Sequence, residues 1–130
     1  MTPLLQIVVC MTVLTFVSIV LGAVLRNREW TMGGMKAGLS NRDNLPEATP
    51  MGARAERAAV NTKENFILFV ALALVAHAAG MGEQATFGAT VFFWARVVYL
   101  PVYILGITYV RSAVWGVGIF GLVLMMQALY

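Results

Sequence analysis

Charge is scarce in this chain. Only 12% of its residues are Asp, Glu, Lys or Arg, against about 25% in soluble domains. With 60% hydrophobic residues, the chain cannot cover a surface with charge, so lipid is its expected solvent. Metal ligands are equally sparse. One cysteine, Cys10, and one histidine, His77, supply neither an internal disulfide nor a metal framework, and no metal site is expected. Cys10 reads as a small buried apolar residue and His77 as a hydrogen-bonded structural histidine. Nothing in the net charge of +3 calls for nucleic acid, because basic residues beside a membrane mark topology and anionic lipid contact.

What is abundant is apolar and blocked. Thr2 to Leu25, Asn65 to Gly82 and Ser112 to Tyr130 carry no charged residue, and Gln84 to Val110 carries only Arg96. A helix needs roughly 20 apolar residues to cross the hydrocarbon core. The expectation is an all-α membrane protein, a single four-transmembrane-helix bundle over residues 1–130. Its helices are expected at about 3–25, 51–79, 84–110 and 112–129, with a loop at about 26–50. The first block has no basic residue before it and is too long for a signal-peptide core, so it reads as a retained helix.

Basic residues set the orientation. Arg26, Arg28, Lys36, Arg42, Arg54 and Arg57 cluster in and just after the first loop, and Arg111 marks the third turn. Positive charge stays inside, which puts the first loop in the cytoplasm and both termini outside. A bacterial inner membrane is the expected location. Thr49-Pro50 has the pattern of an N-cap followed by proline at the first helical position. Pro101 is expected to kink the third span, and Gly116, Gly118 and Gly121 suit close helix packing.

Polar residues inside spans are costly and are functional candidates by default. Arg54, Arg57, Asn61 and Glu64 recur at spacings of 3, 4 and 3, on one helical face. Arg96, Tyr99 and Tyr103 recur at 3 and 4 on the next span. Counted from the cytoplasmic ends, Glu64 and Arg96 lie at similar depths of about 21 and 22 Å, and an ion pair between them is expected. The resulting pocket, with Arg111 and Ser112 at its edge, suits a small, mostly anionic molecule that also carries a positive group. Equally, the same pair could serve only to fix helix register. Trp115, one turn past Arg111, is a candidate cap.

The stretch Arg54-Ala55-Glu56-Arg57-Ala58-Ala59-Val60-Asn61-Thr62-Lys63-Glu64-Asn65-Phe66 resembles the signature of the MAPEG family, the membrane-associated proteins of eicosanoid and glutathione metabolism. Phe93 to Tyr103 and the pair Arg111-Ser112 extend the likeness over nearly the whole chain, closest to a small bacterial branch. The chain departs from the family pattern at Ala53, Ala59, Val60 and Tyr99. The resemblance implies a homotrimer that binds glutathione as co-substrate between subunits. By it, Arg54, Arg57, Asn61, Glu64, Arg96, Tyr99 and Tyr103 would hold glutathione, and Arg111 and Ser112 would act on its sulfur. A lipophilic small-molecule substrate would arrive from the lipid bilayer. The implied activity is a glutathione-dependent transferase or peroxidase. The alternative is a non-catalytic accessory or scaffold subunit of a larger membrane complex. A small transporter fits poorly, since no inverted halves are visible.

Overall fold

A computed structural model describes residues 1–130 as five helices: α1 (Pro3–Asn27), α2 (Met32–Leu39), α3 (Pro50–Ala78), α4 (Gly82–Ile104) and α5 (Thr108–Gln127). There are no strands. Four helices, α1, α3, α4 and α5, are long and apolar enough to cross a membrane, which matches the four expected spans.

The helix ends follow local chemistry. Thr2 caps α1 by accepting the Leu5 N–H, and Thr49 caps α3 by accepting the Gly52 N–H, with Pro50 at the first position. Each satisfies an otherwise orphaned donor. Arg28 closes α1 in the left-handed conformation at φ 53°, and its carbonyl accepts from both the N–H and the hydroxyl of Thr31.

Three expectations are corrected. The first loop contains a helix, α2, capped by Thr31. The third span ends at Ile104 rather than Val110, because the chain turns at Gly106, whose φ of 79° is left-handed. Pro101 therefore lies in the last turn of α4, where it leaves the Val97 carbonyl without its helical donor, and Arg111 and Ser112 lie inside the first turns of α5. Cys10 and His77 are both exposed rather than buried or hydrogen-bonded.

The bundle is built from two tight pairs, α1 with α3 and α4 with α5, joined chiefly through α3 and α4. Small residues make the pairs tight. A Cβ at Gly121 would lie 2.7 Å from the Phe92 nitrogen and 2.8 Å from the Gly88 carbonyl oxygen, so the α4 and α5 backbones touch. Gly88 is a partner that the sequence reading did not single out. By contrast, Gly116 faces open space. On the other pair, Gly22 meets Ala55 and Ala59, and Gly52 meets the Leu25 carbonyl. The largest core cluster stacks Phe69 on Phe92, with centroids 4.9 Å apart, beside Leu4, Met11, Leu122 and Met125.

Candidate functional site

The polar residues of α3 and α4 meet where the two helices cross, below the α3 N-terminus. Arg96 is the centre of this meeting. It is only 2% exposed, and one of its terminal nitrogens donates to Asn61 Oδ1 at 2.9 Å and to Thr62 Oγ1 at 2.8 Å. Its guanidinium lies 4.0 Å from the centroid of the Tyr99 ring, a cation–π distance. The Arg96 Nε atom is buried and has no hydrogen-bond partner. Asn61 is fixed from its other side by Asn65, whose amide donates to the Asn61 backbone oxygen at 2.9 Å and to its Oδ1 at 3.3 Å.

The expected Arg96–Glu64 ion pair is absent. The sole ion pair of the chain joins Arg26 to Glu56 at 3.6 Å, and the Glu56 side chain is 58% exposed. Equal depth brought Arg96 level with the Asn61 turn, but rotation decided the partner. At about 100° per residue, Thr62 lies on one side of Asn61 and Glu64 about 60° to the other. Arg96 enters between Asn61 and Thr62, and Glu64 is left exposed.

Toward the α3 N-terminus a second layer forms. Tyr103 packs edge-on against Tyr99, with centroids 5.4 Å apart. Arg57 Nε donates to the Tyr103 hydroxyl at 3.2 Å, and the Arg111 guanidinium lies 4.8 Å from the Tyr103 ring centroid. Cations from α3 and α5 thus converge on one tyrosine of α4. Arg54 belongs elsewhere. Its Nε donates to the Ile104 carbonyl at 2.9 Å, and its guanidinium packs against Gly106. It satisfies an open carbonyl at the α4 C-terminus, where positive charge is favoured.

Two open clefts share Asn61, Tyr99 and Tyr103. One, of about 510 Å³, is completed by Arg111, Ser112, Trp115 and Gly116. The other, of about 450 Å³, is completed by Glu56, Arg57, Val60 and Glu64. Of the residues expected in the site, Arg57, Asn61, Glu64, Tyr99, Tyr103, Arg111 and Ser112 therefore line this double cleft. Arg96 lies behind its wall, and Arg54 lies outside it, on the α4 C-terminus. Thr62 and Asn65 are site-supporting residues that the sequence reading passed over. Their signal is the run Asn61-Thr62 with Asn65 one turn on, three short polar side chains that flank Lys63 and Glu64 midway along α3.

Chemically, the double cleft offers two uncommitted faces of positive charge, two phenols, a hydroxyl, an amide and a free carboxylate. The indole of Trp115 forms an apolar wall next to Arg111. Such a set suits a zwitterionic or dianionic molecule.

No curated protein and no solved structure matches the chain. The sequence model of the MAPEG family matches residues 4–130. With that match over nearly the whole chain and four spans in one bundle, the protein belongs to the MAPEG family.

Proposed function

We propose that this protein is a glutathione-dependent membrane enzyme that conjugates or reduces lipophilic electrophiles. The observation that carries this reading is the cleft in which Arg111 and Ser112 stand beside Trp115, with Arg57 bonded to the Tyr103 they share. A cation and a hydroxyl lie next to an apolar wall, as a thiolate meeting an apolar electrophile requires.

The residues present fit glutathione as a substrate. Its two carboxylates need cations that are not already neutralised, and Arg57 and Arg111 form no ion pair. Its ammonium needs a carboxylate, and Glu64 stands exposed in the adjoining cleft. Asn61 and the tyrosine hydroxyls suit the peptide groups. Arg96 acts from behind, holding Asn61 and Tyr99 in place.

In the proposed reaction Arg111 and Ser112 stabilise the thiolate after its proton passes to water. The sulfur then forms a bond to carbon of the electrophile as the leaving group departs with its electron pair. With a hydroperoxide, the sulfur takes the terminal oxygen and a second glutathione completes a disulfide, giving an alcohol and water. The open clefts are consistent with a homotrimer in which a neighbouring subunit completes the site, as the family resemblance implies.

One observation favours the accessory-subunit reading. Arg54 and Arg96 are both occupied by partners within the chain, so part of the polar cluster holds the bundle together. Detergent-purified protein incubated with glutathione and an aryl halide, or an organic hydroperoxide, separates the two readings. Glutathione-dependent loss of either compound, slowed about 100-fold in Arg111→Ala, is the expected result. No turnover of either, together with stable co-purification with a larger membrane complex, would favour the accessory role.

A further inference from the structure

The segment between the first two spans contains an unpartnered apolar surface that no membrane-spanning helix requires. On α2, Met32, Met35, Lys36 and Leu39 fall on one face at about 100° per residue. Met32 is 75% exposed and Leu39 is 82% exposed, and Trp30, just before the helix, is 66% exposed. The opposite face is glycine. Gly34 packs on the carbonyls of Asn27 and Arg28, and Gly38 packs on the Glu29 carboxylate. A side chain at Gly34 would have no room, so α2 is held against the end of α1 with its methionines and leucine turned away.

Position says what lies on that side. α1 is 25 residues long, or about 37 Å, against a hydrocarbon core of about 30 Å. Its last residue therefore reaches the headgroup layer, and only the tight turn Arg28–Trp30, fastened by Thr31, separates it from α2. Tryptophan at this level is a familiar interfacial anchor.

Charge complements the lipid. Arg28 and Lys36 are exposed around α2. Arg42 turns the other way: it donates to the Gly38 carbonyl at 3.2 and 3.1 Å and lines the cleft between α1 and α3 beside Asn27 and Glu56. Of the nearby acids, Glu29 is turned inward to Asn27, while Asp43 and Glu47 follow beyond the helix.

We propose that α2 with Trp30 is an in-plane membrane contact that seats its Met32, Met35 and Leu39 face in the lipid leaflet, with Arg28 and Lys36 on anionic phospholipid headgroups. A helix of this kind buries its apolar face about 5–10 Å into the headgroup–acyl boundary. It also clamps the segment that leads into α3, and so the approach to Arg54 and Arg57, against the bilayer. This assignment is independent of the identity of the thiol substrate.

The test uses the full chain, with Cys10→Ser as background, reconstituted in vesicles of phosphatidylcholine with or without phosphatidylglycerol. Spin labels are placed at Met35→Cys and Leu39→Cys, and at Gly33→Cys as control, since Gly33 faces open space. Accessibility is read with oxygen and with a water-soluble nickel chelate. The expected result is an oxygen-to-nickel ratio at 35 and 39 severalfold above that at 33, and larger with phosphatidylglycerol. Lys36→Glu with Arg28→Glu should erase the phosphatidylglycerol increment, each cation being worth about fivefold in surface attraction. Equal ratios at all three sites would overturn the proposal. So would labels at 35 and 39 shielded from both reagents already in detergent, which would mark a protein partner or a second copy. Loss of headgroup dependence in the unmutated background would overturn the charge assignment.

Discussion

Arg96 on α4 is bonded to Asn61 on α3 across 2.9 Å, deep in the bundle and without a carboxylate beside it. A buried guanidinium of this kind is held by hydrogen bonds and by the Tyr99 ring rather than by an opposite charge. Its role is to set the wall of the cleft, and the energetic consequence is direct. Arg96→Met leaves Asn61 and Thr62 short of a donor and removes the surface under Tyr99. A loss of about 1–3 kcal/mol in stability is expected, measured as a lower midpoint of thermal unfolding in detergent. Arg96→Lys, which keeps a charge and one donor direction, should lose less.

Glu64 behaves in the opposite way. It is exposed and forms no ion pair, so Glu64→Gln should change stability by less than about 0.5 kcal/mol. Loss of a buried pair would cost about 3–5 kcal/mol. Thermal unfolding distinguishes these values. Glutathione affinity should nonetheless fall in the same variant, because the ammonium loses its carboxylate.

The α4–α5 contact predicts a contrast between glycines on one helix. Gly121→Ala places a methyl group against the Phe92 backbone and the Gly88 carbonyl, and overpacking of this kind costs about 1–3 kcal/mol. Gly116→Ala meets nothing and should be neutral or slightly stabilising through helix propensity. The two unfolding midpoints, compared side by side, check the packing geometry.

Arg111→Ala and Trp115→Ala are expected to separate chemistry from apolar substrate capture. Loss of Arg111 should lower turnover by about 100-fold, the scale of removing one oriented donor from a developing anion. Loss of Trp115 should raise KM for the lipophilic substrate with a smaller change in kcat. Steady-state kinetics with glutathione held saturating reads both.

The spans were legible because charge-free blocks of about 20 residues have one cheap home. The start of α3 was legible because Thr49 and Pro50 have a stereochemical reason to stand there. The short helix α2 was not legible. Met32-Gly33-Gly34-Met35-Lys36-Ala37-Gly38-Leu39 carries three glycines, each unfavourable in a helix, and the segment is held by tertiary contact with the end of α1. The end of α4 was misplaced because Leu105 to Val110 is as apolar as the helix before it, while the break depends on Gly106 alone. The polar cluster was found by spacing, which fixes a face. The pairing within it was missed because depth along an axis leaves rotation about that axis undetermined.

Calorimetric titration of the detergent-purified protein with glutathione, alongside Arg57→Ala, tests the proposed site most directly. Saturable binding, weakened about tenfold in the variant by the loss of one charge-assisted contact, is the predicted result. No saturable heat, or equal binding by both proteins, would mean that the cationic cleft around Tyr103 does not hold glutathione.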